Sequence, residues 1–306
     1  MLKGWRSTAI VTAITLVTFI VVPKLYDNQF LLFNMMMYMA LAQGLNIIYG
    51  YTGYLPFGYV GFFGAGAYAG ALVIIFLHWM PLIAVLVGGL TAVLFGMVLI
   101  PLFRLSGAYF SIASLAASEA LYYVVANPHL EKITQGPYGI SMPQAYDANA
   151  AYWTMLGILA LSLVTSGIIR RSRFGLALSA IRENPLSASM SGVNVVQMRS
   201  LSWLLSAFIA GLAGATFGWY ISVFYPETVF SLTIGVFTIV FILFGGIGTL
   251  IGPIIGTLIL YGLYNYIGIS TPQYFQIAYG LLIVLLVLFL PNGLVSLLKR
   301  RGVDVP

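Results

Sequence analysis

A chain of 306 residues that is 61% hydrophobic and only 7% charged falls outside the soluble globular class, in which about a quarter of residues carry charge. It contains no cysteine, which removes disulfide frameworks, zinc–thiolate sites and cysteine nucleophiles. The net charge of +6 has the sign of a nucleic-acid binder, but membrane topology accounts for it without a polyanionic partner, so no nucleic acid is expected.

Lys3 and Arg6 precede an apolar run that continues to Val22 and ends in Pro23, Lys24 and Tyr26. With no small-residue cleavage site, this reads as a retained first span rather than a signal peptide. Further apolar stretches of about 17–25 residues, the length that crosses a bilayer, lie at 30–48, 55–77, 81–99, 108–126, 152–169, 201–223, 231–244, 250–267 and 273–290. Together with 7–22 they predict an all-α polytopic membrane protein. About ten transmembrane helices form a single transmembrane domain over 1–306, with both termini cytoplasmic. Of the 13 basic residues, all but Lys24 and Lys132 then share one side, which holds Arg104, the loop 170–199 and Lys299, Arg300 and Arg301. Lysine and arginine near span ends resist translocation, so that side is the cytoplasm.

Two connections on the basic side, 50–55 and 245–252, are uncharged and glycine-rich. They read either as tight turns between closely packed helices or as helices broken inside the protein. Gly50, Gly53, Leu55 and Gly61 have the same spacing as Gly245, Gly248, Leu250 and Gly256, a weak sign of an internal repeat. On the opposite side, the polar loop 127–151 holds His129, Glu131, Lys132, the turn Gln135-Gly136-Pro137-Tyr138-Gly139 and Asp147. It is too small for an enzyme domain and reads as an extracytoplasmic landing surface.

The loop 170–199 carries Arg170, Arg171, Arg173, Arg182 and Arg199 against one acid, Glu183. Phe174, Ala177, Leu178 and Ile181 share one helical face, which predicts a helix lying at the membrane surface. Asn184 then suits an N-cap, Pro185 the first helical position and Gly192 a stop, so a second short helix is expected over 184–192. The pair forms a surface for docking another protein.

Catalytic constellations are missing. His78 and His129 are the two histidines, and the sequence has no His-Glu-x-x-His, Gly-x-Ser-x-Gly or paired intramembrane carboxylates. Lys3, Lys24, Lys132 and Lys299 all lie outside any Gly-Lys-Ser/Thr phosphate loop. The chain therefore reads as a non-enzyme with no catalytic residue, metal or cofactor of its own, and any ATP that drives it binds elsewhere. Glu119 is the one acid inside a predicted span. A structural, hydrogen-bonded role among neighbouring helices fits it better than a proton relay, because no basic partner shares the membrane with it. The small residues Gly61, Gly64, Gly66, Ala67 and Gly70, and Ala207, Gly211, Ala213, Gly214 and Gly218, read as close helix-packing stripes.

Several stretches carry a family resemblance. They are GYTGYLPFGYVGFFGAGAYAGAL from Gly50, SGAYFSIASLAASEALYYVV from Ser106, TQGPYGI from Thr134, RSRFGLALSAIRENPLSASMSGVNV from Arg171, GGIGTLIGPIIGT from Gly245 and LPNGLVSLL from Leu290. In this order the chain resembles the LivM-like membrane permease of branched-chain amino acid ABC importers. The resemblance implies the ABC importer permease fold in a bacterial or archaeal cytoplasmic (inner) membrane. It also implies a second, LivH-like permease, an extracytoplasmic solute-binding protein and two cytoplasmic ATPase subunits that hold ATP and Mg. It assigns ATPase coupling to Arg182, Glu183, Asn184, Pro185, Ala188 and Gly192, with Ala188 and Gly192 at the family's alanine and glycine positions. Pro185, Ser187 and Ser189 stand where the family often has Glu and Ala, and Tyr59 where a histidine is common. Gly136, Tyr138 and Gly139 are the expected binding-protein contacts, and Tyr54, Phe57, Tyr59 and Glu119 the expected pathway. An apolar pathway of this kind suits an amphiphilic zwitterion such as a branched-chain amino acid, with urea or amides as alternatives. The competing reading is a stand-alone secondary transporter or channel with Glu119 as its coupling group. A membrane-embedded enzyme is a distant third.

Overall fold

The computed structural model describes residues 2–270, together with 277, 280, 281, 284 and 293–295. Its helices are α1 (Leu2–Val21), α2 (Gln29–Leu45), α3 (Val60–Leu77), α4 (Pro81–Val98), α5 (Ala108–Val125), α6 (Glu131–Thr134) and α7 (Ala148–Ile169). They continue with α8 (Arg173–Glu183), α9 (Pro185–Met190), α10 (Val195–Ile221), α11 (Pro226–Val229), α12 (Leu232–Gly245) and α13 (Ile251–Ser270). The strands β1 (Ile140–Ser141) and β2 (Val223–Phe224) pair antiparallel, with Ile140 opposite Phe224.

Among the described residues, eight helical segments are long and apolar enough to cross a membrane, from Gln29–Gly50 to Ile251–Gly268. The all-α polytopic class therefore holds. The expected first span falls in α1, whose apolar part, Thr8–Lys24, is shorter than the others. The expected tenth, 273–290, and the basic cluster Lys299, Arg300 and Arg301 lie outside the described residues, apart from four scattered positions of the former.

Short polar residues start the helices by accepting from backbone N–H groups that have no helical partner. Asn28 accepts from Leu31 at 3.0 Å, Asp147 from Ala150 at 2.9 Å, Ser172 from Gly175 at 3.1 Å and Asn194 from Gln197 at 3.1 Å. The Asp147 cap starts α7 inside the loop expected over 127–151. The Asn194 cap starts α10 before the expected start of that span at 201, and so places Arg199 inside a helix.

The two small-residue stripes meet. A Cβ built on Gly66 would strike the backbone of Gly211, one on Gly214 that of Phe63, and one on Gly88 would lie 2.6 Å from the Gly66 carbonyl oxygen. Helices α3, α4 and α10 thus approach to backbone contact, where van der Waals packing rather than hydrophobic transfer holds helices together in lipid. On the other flank of α10, the ring of Phe33 on α2 stacks on that of Tyr220 at 4.0 Å. Helix α2 is buried along most of its length and forms the centre of the bundle, with α12 and α13 packed against it.

Gly211→Leu is expected to destabilise the bundle by about 1–3 kcal/mol or more, because its Cβ alone would lie 2.5 Å from that of Ala92. Gly157 of α7 has nothing within 4 Å of its Cβ position, so Gly157→Ala is expected to leave stability unchanged or slightly raised. Thermal unfolding in detergent, followed by size-exclusion chromatography, compares the two.

Candidate functional site

The two glycine-rich breaks meet at the arginine-rich end of the bundle. After α2 the chain makes a wide π-type turn over Asn46–Gly50, then an irregular stretch in which Gly53 takes φ +77°, before α3 begins. After α12 the second break runs from Gly246 at φ +130° to Gly248 at φ +74°. Gly53 and Gly248 are the third residues after Gly50 and Gly245, so the matched spacing places left-handed glycines at equivalent points. A buried break leaves backbone groups without helical partners. Side chains of α2 and its terminal turn take them. Buried Asn46 donates from Nδ2 to the Thr249 carbonyl at 2.9 Å and accepts at Oδ1 from the Gly248 N–H at 2.9 Å. One turn earlier, Gln43 Nε2 donates to the Leu250 carbonyl at 2.6 Å. Between the two readings of these stretches, both join separate membrane-length helices, and 245–252 is a tight turn between closely packed neighbours, since a Cβ on Gly245 would strike Gly252 and one on Gly256 the Phe241 backbone.

The loop expected to dock a partner packs onto this junction. Helix α8 was expected to lie in the membrane surface through Phe174, Ala177, Leu178 and Ile181. Instead Leu178 and Ile181 are buried in the protein, and Leu178 shares an apolar cluster with Ile47, Tyr51, Ile169 and Ile209, flanked by Phe174 and Met198. The amphipathic pattern was real, but its apolar partner is the end of the bundle. Burial raises the Tyr51 phenol above its ordinary value, opposed by the Arg170 charge, so Tyr51 packs there as a neutral ring. Asn184 Oδ1 accepts from Leu186 and Ser187 N–H at 2.9 and 3.1 Å, starting α9 with Pro185 at its first position. Gly192 at φ +85° closes α9 as the Val193 N–H donates to the Ala188 carbonyl at 3.1 Å.

Two arginines reach from this loop to the first break. Arg182, in the last turn of α8, donates from Nη1 to the Gly50 carbonyl at 2.5 Å. Arg199 was expected in the basic loop but lies in the second turn of α10 and is only 7% exposed. Its guanidinium sits 4.1 Å from the centroid of the Tyr54 ring, and Nη1 donates to the Tyr54 hydroxyl at 3.0 Å. Among the described residues its Nε has no hydrogen-bond partner. Tyr54 in turn packs edge-on to Phe110 and Phe103, at 5.1 and 5.9 Å between ring centroids. Burying a charge costs several kcal/mol. One cation–π contact of about 2 kcal/mol and one charged hydrogen bond of about 1.5–3 kcal/mol offset much of that, but leave little surplus.

The expected pathway residues do not converge. Tyr59 is 1% exposed and donates its hydroxyl to the Ser206 carbonyl at 3.2 Å, sealing the seam between α3 and α10. Tyr54 is taken by Arg199, Phe57 is exposed at the end of α3, and Glu119 is half-buried on α5. At the opposite end, Gly136 is buried at φ +57°, Gly139 turns at φ +81° into β1, and Tyr138 stands exposed. The Met142 N–H donates to the Ser222 carbonyl at 2.9 Å and Trp219 Nε1 to the Ala145 carbonyl at 2.7 Å, which pins this loop to α10. Among the described residues, no three His, Cys, Asp or Glu side chains gather where a metal would bind.

The described residues form a multi-pass bundle with an arginine-rich, two-helix loop at one end. The family model described as branched-chain amino acid transport system / permease component matches residues 29–288. The chain belongs to this permease family. It is 27% identical over 301 residues to the high-affinity branched-chain amino acid transport system permease protein LivM of Escherichia coli (strain K12), covering 87% of this chain and 69% of that protein. It is 31% identical over 151 residues to LivH of the same strain, covering 48% and 47% of the two chains. A shorter match, 30% over 66 residues, joins it to the guanosine ABC transporter permease protein NupQ of Bacillus subtilis (strain 168), with 22% and 21% covered. No solved structure matches it.

In this permease, sequence reading found the loop but missed Gln43 and Asn46. Two amides in an apolar span were the available signal, since a buried amide in lipid needs partners. It also passed over Leu186 and Met190, which stand out only once α9 is seen to be exposed. Asn46→Leu is expected to leave the Gly248 N–H and Thr249 carbonyl unsatisfied and to cost about 2–5 kcal/mol. Asn46→Asp keeps the acceptor for Gly248 but turns a carboxylate oxygen toward the Thr249 carbonyl, so at neutral pH it is expected to cost at least as much as Asn46→Leu. Melting temperatures of the two purified variants check the order.

Proposed function

We propose that this permease is the membrane-spanning subunit of an ATP-driven ABC importer for branched-chain amino acids or a similarly small solute. Its setting is the inner membrane, with the arginine-rich end in the cytoplasm. A LivH-like permease would pair with it, two ATPase subunits holding ATP and Mg would dock below, and a solute-binding protein would deliver substrate from outside. The observation that carries this reading is the exposed face of α9. Leu186 is 71% exposed and Met190, one turn later, 83% exposed, while Ala188 between them is turned inward at 4%. Two large apolar side chains held out at the arginine-rich end, on a helix capped at both termini, suit a cleft on a partner.

The mechanism is alternating access. ATP-driven closure of the ATPase pair moves α9, α9 carries α8 and the start of α10, and the movement reaches the junction of the two glycine-rich breaks. Tilting of the spans attached to that junction opens the pathway to one side at a time. Delivery from outside falls to the opposite loop, where Tyr138 is exposed and the backbone is held by Gly136, Gly139 and the β1–β2 pair. Phe57 and Glu119 remain the pathway candidates that the structure leaves on open or half-open faces.

Leu186→Asp combined with Met190→Asp is expected to reduce co-purification of the ATPase subunits by about tenfold or more without lowering the melting temperature of the permease. Undiminished co-purification would remove α9 as the docking element. In proteoliposomes, uptake by the purified single chain under an ion gradient alone would replace the importer reading with a stand-alone transporter.

A further inference from the structure

We propose that Arg182 and Arg199 are positioning residues that clamp the segment 50–54 to the coupling loop, so that movement of α9 reaches the α2–α3 junction as one rigid displacement. This rests on the reading of α9 as the element that docks the ATPase, and adds how its movement is transmitted. The two arginines flank α9 in sequence. Arg182 lies two residues before its Asn184 cap, and Arg199 lies five residues after the Asn194 cap that starts the next helix. Both turn back to the same short break. Arg182 takes its first carbonyl, that of Gly50, and Arg199 takes the side chain of Tyr54. The segment is held at both ends by the helices on either side of α9, while Gly53 between them, at φ +77°, provides a backbone pivot that other residues adopt only with strain.

The clamp extends to the second break. A Cβ on Gly248 would lie 3.2 Å from both Arg182 Nη1 and the Gly50 carbonyl oxygen, so the two breaks and the arginine fill one another's space. Asn46 then ties the second break to the end of α2. The chemistry requires arginine at 199. Its planar fork lies against the Tyr54 ring while one nitrogen still reaches the hydroxyl, and a lysine ammonium cannot meet both geometries. The group that faces this buried charge is a phenol and not a carboxylate. Its interaction with Tyr54 is therefore the main restraint on the guanidinium, and losing Tyr54 would release it.

The test uses the assembled transporter, with both permeases and the ATPases, in proteoliposomes supplied with loaded binding protein, and reads uptake per ATP hydrolysed. Arg199→Lys is expected to keep ATPase co-purification and hydrolysis close to wild type while uptake per ATP falls by about three- to thirtyfold, and Arg182→Met, at a residue next to the docking helix, is expected to lower the same ratio. Tyr54→Phe keeps the ring and loses only the hydroxyl, so a smaller fall is expected, and it serves as the readout if an arginine variant does not assemble. An unchanged ratio in all three overturns the clamp, as does a parallel loss of hydrolysis, uptake and melting temperature, which marks a purely structural role. The α9 docking variants separate the two levels. If docking survives Leu186→Asp with Met190→Asp, the coupling reading itself fails. If docking is lost there but the ratio is intact in the arginine variants, only the clamp fails.

Discussion

A chain turn buried within a membrane protein exposes N–H and C=O groups that cost several kcal/mol each unless the protein itself takes them. Asn46 meets that demand here. One amide closes both a donor and an acceptor of the break between α12 and α13, while the residues that follow it turn into the break between α2 and α3. Without such a side chain the two breaks could not lie face to face, because each would present bare backbone to the other. The position of α8, the reach of Arg182 and the seating of the coupling loop all presuppose this junction.

The same constraint explains why α2 is buried while α4 shows a row of large apolar residues, including Leu82, Leu86, Leu90 and Leu94, on its outer side. A helix that satisfies others' backbones has to be reached from several directions, whereas α4 needs one close face, supplied by Gly88 and Gly89. Helix α10 connects the two ends of the molecule. Its glycine and alanine stripe locks it to α3 and α4, its second turn carries Arg199, and its far end holds the outer loop through Trp219 and Ser222. A helix fixed at both ends can carry a displacement at one surface to the other, as the alternating access proposed above would require.

Much of this was legible from residue order. Span positions followed from apolar runs, and the helix starts at Asn184 and Pro185 from capping chemistry. The small-residue stripes predicted close helix packing, because a glycine stripe on an apolar helix has few uses apart from close approach, while the pairing of α3 with α10 came from the fold. What was not legible were the long-range partners of amphipathic or polar groups. The face of α8 formed by Phe174, Leu178 and Ile181 is equally apolar whether it meets lipid or protein, and the pattern alone does not say which. Arg199 read as a loop residue because positive charge marks the ends of spans, and its Tyr54 partner lies 145 residues away. Tyr59 was singled out because it stands where the resembled family commonly has a histidine, and its hydrogen bond to the Ser206 carbonyl lay 147 residues away in sequence. In each case the residue type was informative and its partner came from the fold.

The energetics of the buried arginine bear on why such a contact belongs in a moving part. A carboxylate beside Arg199 would have made an ion pair whose rupture inside the protein costs about 3–5 kcal/mol, a strong brake on any transition that separates the groups. A phenol supplies enough to hold the guanidinium in place but much less to resist its release. The carbonyl that Arg182 holds is that of Gly50, the last residue of the π-type turn, and the irregular stretch that follows it can take up a shift of that bond. Contacts of this strength keep segment 50–54 attached during small displacements and allow it to re-form in a second position after a large one. A bistable junction asks for that combination, and a tighter ion pair would sacrifice it.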